Sequence, residues 1–145
     1  MSSLTSANSV IMLTIPGIFD TPQQIQGYSA DDIFDTAQVS NAETSMGIDG
    51  RLSAGWIPAP KVQTFTLQAD SQSVSFIDQW ILEESQNREK FPANGTILLT
   101  AVGTSYQMVR GFLTSANIMP DAKKILQPRK FVITWESIVG SPVNG

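Results

Sequence analysis

Two clusters of carboxylates are the residues best suited to do chemistry in this chain. The first cluster is Asp31, Asp32 and Asp35, and the second is the adjacent pair Glu83 and Glu84. Paired carboxylates act as acid and base in glycoside hydrolysis, and carboxylate oxygens bind Mg²⁺. Neighbouring helical residues, however, diverge by about 100°, and Asp in a turn-like segment ordinarily bonds to its own backbone. We therefore expect neither cluster to be a catalytic or metal site.

Other common catalytic chemistry is excluded by composition. The 145 residues include no Cys and no His, which removes thiolate nucleophiles, disulfides, His-based triads and zinc sites made of Cys and His. The sequence also has no phosphate-binding glycine loop, nucleophile elbow or EF-hand loop. We expect no enzymatic activity and no cofactor.

The charged residues are few and unevenly distributed. Only 15% of the residues are charged, against roughly 25% in an average domain; either copies of the chain cover one another, or the surface is rich in uncharged polar residues. The net charge is −4, and residues 1–50 contain no Lys or Arg. Their acids are Asp20, Asp31, Asp32, Asp35, Glu43 and Asp49. The one basic cluster, Lys123–Lys124 with Arg129–Lys130, is predicted to be a solvated loop, so the chain is poorly suited to grip nucleic acid.

The clearest elements are a strand and the amphipathic helix that follows it. Val62–Ala69 alternates apolar and polar residues, which is typical of a strand with one buried face. From Ser73 to Arg88 the apolar spacing becomes helical, and Pro92 prevents continuation. The predicted core face of this helix consists of Val74, Ile77, Trp80 and Ile81.

The other predicted elements are short strands joined by turns. The strands are Ser9–Ile15, Thr96–Val102, Ser105–Leu113 and Phe131–Ile138, with tight turns at Asn94-Gly95 and Gly103-Thr104. Two further candidate strands are Ile25–Ser29 and the polar stretch Thr36–Met46. Strands joined by tight turns pair antiparallel. The pattern predicts a mainly β fold: an antiparallel β-sandwich or partly open β-barrel of about six or seven strands, with one flanking α-helix.

The chain is predicted to form a single domain over residues 1–145, with a flexible arm (1–8), a protruding loop or hairpin (47–60) and a short polar tail (141–145). Asp and Gly in succession favour a tight hairpin turn, and apolar side chains follow them. Trp56 in this loop either folds back on the core of its own subunit or contacts a partner. In the second case the residues predicted to contact another subunit are Ile48, Asp49, Gly50, Arg51, Leu52, Trp56 and Ile57. The apolar run Val10–Ile15 is too short for a signal peptide core or a membrane span, so we expect no membrane insertion.

This order of elements resembles the tail tube proteins of contractile-tailed bacteriophages and the related secretion-system tubes. The resemblance extends over residues 9 to 139. The resemblance rests on four features: the small, acidic, Cys-free chain, the polar first half ending at Asp49-Gly50, the strand Val62–Ala69 leading into one helix, and the closing FVITWESI strand. It implies that six copies form a ring and that rings stack into a virion tail tube through which DNA passes without specific binding. It also implies sheath, baseplate and tail terminator proteins as partners, and synthesis in the bacterial host cytoplasm.

The leading interpretation is therefore a ring-forming structural subunit, with a tail terminator or baseplate hub component as the alternative inside the same resemblance. An acidic channel wall repels phosphates, and Asp31, Asp32 and Glu43 are predicted to line the channel. Two alternatives come from other classes. One is a carboxylate-dependent hydrolase, and the other is a β-sandwich module that binds a sugar or peptide through Trp56 and Tyr106.

Overall fold

The fold was obtained as a computed structural model, which describes residues 9–25, 34–69, 71–99, 102–119, 122–123 and 125–142. Within these residues the chain forms nine strands and one helix. In chain order they are β1 (Ser9–Ile15), β2 (Phe19–Ile25), β3 (Phe34–Thr36), β4 (Ala42–Met46), β5 (Leu52–Trp56), β6 (Lys61–Leu67), α1 (Val74–Asn87), β7 (Ala93–Leu99), β8 (Thr104–Ala116) and β9 (Arg129–Pro142).

Seven of the strands form one antiparallel sheet in the order β2-β1-β7-β8-β9-β6-β3, and β4 and β5 form a separate two-stranded sheet. The described part of the large sheet ends at β2 and β3 and does not close into a barrel. The mainly β, antiparallel prediction with one flanking helix is confirmed. The strand number is higher than the predicted six or seven because the polar segment 34–56 supplies three strands of its own.

The core lies on one face of the large sheet because its central strands alternate. In β1, Ile11, Leu13 and Ile15 are buried while the residues between them are half-buried. Trp135 on β9 is fully buried and donates its indole N–H to Gln63 Oε1 at 3.1 Å. A buried indole N–H without an acceptor would lower the stability of the fold. The buried side chain of Gln63 is explained by the acceptor that it provides.

The helix α1 covers this core and lies within the predicted span. Arg88 follows it with φ 54 and ψ 37, a left-handed conformation that ends the helix. Ile77 and Trp80 are buried, and Val74 and Ile81 pack half-buried against the core. Trp80 also donates its indole N–H to the Phe91 carbonyl oxygen at 3.1 Å, which fixes the chain after the helix.

The predicted turn at Asn94-Gly95 is wrong, because both residues lie inside β7. Tight packing explains the glycine: a Cβ on Gly95 would come within 2.7 Å of Leu13 Cδ2 and 2.9 Å of Met108 Cε. The Asn94 side chain accepts the Arg110 N–H at 3.1 Å, where the pairing of β7 with β8 shifts register. The Asn-Gly pair therefore marks a bulge between neighbouring strands. The turn at Gly103-Thr104 is confirmed, with Gly103 at φ 66.

Two expectations about the end of the chain also change. Arg129 is not in a solvated loop: it is buried, and its guanidinium binds Asp78 and the carbonyls of Asn117 and Ile118. Strand β9 runs on to Pro142, so the predicted polar tail is wrong for its first two residues. The remainder of that tail (143–145) and the predicted arm (1–8) lie outside the described residues.

Candidate assembly surface

The β4–β5 hairpin is an amphipathic ribbon. Directly opposed residues share a face, and the register pairs Ala42 with Trp56, Thr44 with Ala54, and Met46 with Leu52. These pairs make one face of the ribbon apolar, with three large side chains at its two ends. The intervening pairs, Glu43 with Gly55 and Ser45 with Ser53, make the other face polar. The sequence prediction of a protruding hairpin with apolar side chains is therefore given a definite geometry.

A tight turn shapes the tip of this hairpin. Asp49 Oδ1 accepts the Arg51 N–H at 3.0 Å, and the Gly47 N–H donates to the Arg51 carbonyl at 2.9 Å. Gly50 has φ 81, a conformation that L side chains rarely adopt. Ile48 is held at the outermost point of the turn, fully exposed. The Asp-Gly pair thus forms the turn expected for it and carries an apolar residue at its tip.

Neither face of the ribbon is covered by the rest of the subunit. All ten residues of β4 and β5 are exposed, and Met46, Leu52 and Trp56 are 65%, 59% and 73% exposed. An isolated two-stranded hairpin is marginally stable in water unless it packs against another element. An apolar face of this length and order therefore has the character of an interface rather than of a solvent-facing surface.

A groove lies at the base of the hairpin, where the chain returns to the large sheet. Its volume is about 840 Å³. One wall is the segment from Trp56 to Lys61, and the floor is the outer face of β8 and β9. The lining residues are Trp56, Pro58, Ala59, Pro60, Lys61, Arg110, Phe112, Thr134, Trp135, Glu136 and Ser137. Because Trp56 belongs to both surfaces, the apolar face of the hairpin continues into the groove.

Arg110 lies in the groove in an unusual backbone conformation. Its φ is 50, in the left-handed region that a non-glycine residue rarely adopts. The bulge opposite Asn94 produces this conformation, and the guanidinium lies 5.6 Å from the centroid of the Phe112 ring. The residues around Arg110 do not predict its left-handed conformation, because a bulge depends on pairing with a distant strand.

The residues predicted to line a channel are only partly placed. Asp31 and Asp32 lie outside the described residues. Glu43 is exposed on the polar face of the hairpin, away from Leu52 and Trp56. Its carboxylate forms no ion pair within the described part of the chain.

The second carboxylate cluster has structural partners that explain it. Glu84 forms an ion pair with Lys90 at 2.9 Å and accepts the Phe91 N–H at 3.0 Å. Glu83 instead accepts the side-chain amide of Gln79 at 2.8 Å. The two carboxylates therefore engage different groups and do not converge. Among the described residues, no group of three or more acidic side chains is placed to hold a metal ion.

The aromatic pair that suggested a binding module does not come together. Trp56 lines the groove, whereas Tyr106 packs half-buried against the core and is not part of the groove lining. Tyr106 is instead the neighbour of Gly140, where an added Cβ would lie 2.8 Å from its Cε1. The two rings therefore do not form one stacking site for a sugar or peptide.

A second exposed apolar group, which no sequence pattern predicts, lies in the connection between β8 and β9. Its members are Ile118, Met119, Ile125 and Leu126. Arg129 holds the start of this connection to α1 through the carbonyls of Asn117 and Ile118.

No helix in the described part of the chain is long and apolar enough to cross a membrane.

A family comparison decides the relationship of the chain to known proteins. The family described as tail fiber protein gp32 (E217_Gp32) matches residues 2–139. The chain belongs to this family. For this member of the gp32 family, no curated protein matches.

Solved structures share the fold of this gp32 family member. A chain of the PVC sheath/tube terminator of an extracellular contractile injection system, in its extended state, aligns with a TM-score of 0.68 and 12% identity, covering 97% of this chain and 98% of that one. A chain of the PVC sheath-tube complex gives 0.63 and 13%, covering 92% and 88%. A chain of the anti-feeding prophage tube terminating cap gives 0.64 and 9%, covering 99% and 93%. The resemblance to contractile tail tube proteins is thus confirmed at the level of the fold.

Proposed function

We propose that this protein is a structural component of a contractile phage tail, which assembles with copies of itself into rings that stack as the inner tail tube. Tail fiber family membership and the fold shared with tube and terminator structures support a tail-type structural role. The finer assignment to a DNA-conducting tube of six-membered rings is carried over from the resemblance in the sequence. Its partners would be the sheath, baseplate and tail terminator proteins.

The observation that carries this proposal is the uncovered amphipathic hairpin. Burial of apolar surface contributes about 25 cal/mol per Å², and Met46, Leu52 and Trp56 all present such surface to solvent. In a hydrolase, the apolar side chains that bind substrate would line a cleft together with a few converging polar groups. This hairpin instead projects an apolar face outward, which suits contact with another protein.

The acidic first third of the chain supplies the proposed channel wall. Asp31, Asp32 and Glu43 would face the lumen, because a conduit for DNA functions best without favourable phosphate contacts. The polar face of the hairpin suits this position: it carries Glu43 and no cation, and it is opposite to the apolar face that would be buried. DNA would then pass without specific binding.

The terminator or baseplate role is the second candidate. A terminator structure and a baseplate structure share this fold, and so does a tube structure. The two roles differ in assembly. A tube subunit polymerises with itself beyond one ring, whereas a terminator or hub component stops at a single ring.

Native mass spectrometry and negative-stain microscopy of the concentrated protein test the proposal. We expect rings or tubes from the unaltered chain, and monomers from Leu52→Asp, which places a charge on the apolar face. Ser53→Asp is the matched control, since it adds the same charge one residue away on the polar face. Assembly that resists Leu52→Asp, or an unaltered chain that stays monomeric at high concentration, would contradict the proposal. Single rings without stacking would favour the terminator or hub role.

A further inference from the structure

Two of the uncovered apolar features on the described surface, the hairpin and the groove, do not cover one another. The hairpin presents Met46 and Leu52 toward its tip, whereas the groove begins at Trp56 and runs over the outer face of the sheet. Neither Met46 nor Leu52 lines the groove. The hairpin therefore leads away from the groove of its own subunit and cannot fill it.

One residue of the groove, Arg110, is held in a strained backbone conformation. Asn94 and the bulge hold Arg110 at φ 50, and its guanidinium lies over the Phe112 ring. Bulges often re-aim a side chain, and strained residues concentrate at binding sites. Arg110 forms no ion pair with any described residue, although the chain has an excess of acids.

The signs of the charges on the two surfaces are opposite. The groove contains two cations, Lys61 and Arg110, and one acid, Glu136. Lys61 donates to the backbone carbonyl of Glu136 at 3.3 Å, so its charge is not neutralised by a carboxylate. The hairpin carries Glu43 and Asp49 against the single cation Arg51. Opposite net charges favour contact between a groove and a hairpin over contact between two grooves or between two hairpins.

We propose that the groove is the acceptor for the β4–β5 hairpin of a second copy of this chain. The apolar face of the incoming hairpin would lie on Trp56, Pro58 and Phe112, with Arg110 close to its acids. This inference rests on the proposed function, because it names the surface that receives the hairpin during assembly. Each subunit would be a donor through its hairpin and an acceptor through its groove.

Such a contact is heterologous, since two different surfaces of the same chain meet. Heterologous contacts build closed rings when their rotation closes, and open filaments when it does not. A donor-defective subunit still has an intact groove, and an acceptor-defective subunit still has an intact hairpin. A mixture of the two should therefore form one contact and stop.

The test uses the full chain with Leu52→Asp as the donor-defective variant and Arg110→Gly/Phe112→Asp as the acceptor-defective variant. Arg110→Gly alone provides the folding control, because glycine accepts φ 50 without strain. We expect its unfolding midpoint to be unchanged or raised, while its assembly requires a concentration about tenfold higher or more, which corresponds to the loss of about 1.4 kcal/mol. Circular dichroism of every variant tests whether it is folded, and only folded variants enter the comparison.

Native mass spectrometry of the mixture gives the decisive result. We expect each defective variant alone to be monomeric and the equimolar mixture to contain a one-to-one dimer and nothing larger. If the mixture stays monomeric, or if the acceptor-defective variant assembles like the unaltered chain, the groove is not the acceptor. In the second case Leu52→Asp still blocks assembly, so the proposed function survives. If the unaltered chain itself does not assemble, both proposals fail.

Discussion

Arg129 Nη2 lies 2.8 Å from Asp78 Oδ1, joining the first residue of β9 to the middle of α1 across 51 positions of sequence. The Arg129 side chain is 7% exposed and the Asp78 side chain 50% exposed. The same guanidinium binds the carbonyls of Asn117 and Ile118 at 2.8 and 2.9 Å. One buried cation therefore connects the helix, the last strand and the connection before it.

We predict that Arg129→Met lowers the free energy of unfolding by about 2–3 kcal/mol, because hydrogen bonds to a charged group contribute about 1.5–3 kcal/mol and two carbonyls lose their donor. Urea denaturation measures the change. Lys130→Met is the matched control, since its side chain is exposed and in no ion pair among the described residues. Adding Asp78→Ala to Arg129→Met should cost little more; a further loss as large as the first would contradict the coupling between them.

We predict that Trp80→Ala destabilises the subunit by about 3–5 kcal/mol, as expected for truncation of a large buried side chain. Trp80 is fully buried, its ring meets Phe76 edge-on with centroids 6.4 Å apart, and its N–H binds Phe91. Thermal unfolding of the monomer measures the loss. Trp56→Ala is the control: with its indole exposed, the variant should unfold near the wild-type temperature. Near-wild-type stability of Trp80→Ala would show that this helix face lies outside the core.

Two strand glycines offer another matched pair: Gly111 lies in the central strand β8, and Gly55 lies in the exposed strand β5. A Cβ on Gly111 would lie 2.3 Å from Trp135 Cε3, whereas a Cβ on Gly55 would meet nothing within 4 Å. We predict that Gly111→Ala costs at least about 1–3 kcal/mol through overpacking, while Gly55→Ala leaves the stability of the free subunit nearly unchanged. Chemical denaturation of both variants provides the comparison, and equal losses would mean that the backbone relaxes around Trp135.

The helix and the central strands could be predicted from sequence because local periodicity sets them. Ile77 and Trp80 recur at helical spacing, and Phe131, Ile133 and Trp135 alternate along a strand. Each signal reflects which side a side chain must take to leave water, and this does not depend on knowing the partner.

Features that depend on distant pairing could not be predicted in the same way. Asn94-Gly95 carries a turn signature, yet it lies inside β7, where Leu13 and Met108 leave no room for a Cβ at position 95 and Asn94 faces a bulge in β8. The conformation of Arg110 follows from that bulge, and the groove follows from the return of the hairpin to the sheet. The prediction that Arg129 is solvated is wrong because its acceptors come from another element and from backbone carbonyls, which composition does not reveal.

The proposed channel wall predicts a separation between assembly and DNA passage. Changing Asp31, Asp32 and Glu43 together to Lys should leave ring formation intact but impair DNA delivery, because cations on the wall would form favourable phosphate contacts. Particle yield by electron microscopy and DNA release from particles give the two readouts. The matched control is the same triple change to Asn and Gln, which removes the charge without adding attraction. A map of the assembled ring with these side chains on its outer wall would rule out the channel role.

The last prediction concerns the order of residues 47–60 before and after assembly. Gly47, Gly50 and Gly55 raise the entropic cost of holding this segment, and fixing each backbone residue costs about 1–2 kcal/mol. Leu52 and Trp56 can offset that cost only when their apolar surface is buried, and in the subunit both are exposed. We therefore expect a segment that fluctuates in the free subunit and becomes rigid on a neighbour. A switch of this kind would delay polymerisation until an existing ring holds the hairpin.

Hydrogen exchange across residues 47–60 measures this change. The monomeric state can be supplied by Arg110→Gly/Phe112→Asp, which leaves the segment itself unaltered. We expect amides of Leu52 to Trp56 to exchange at least about tenfold more slowly in the assembly, which corresponds to about 1.4 kcal/mol of added local stability. Amides of the buried strand β1 provide the internal control, since the core already protects them in the monomer. Equal protection of the hairpin in both states would show that it is fully ordered before assembly, and the switch would then be wrong.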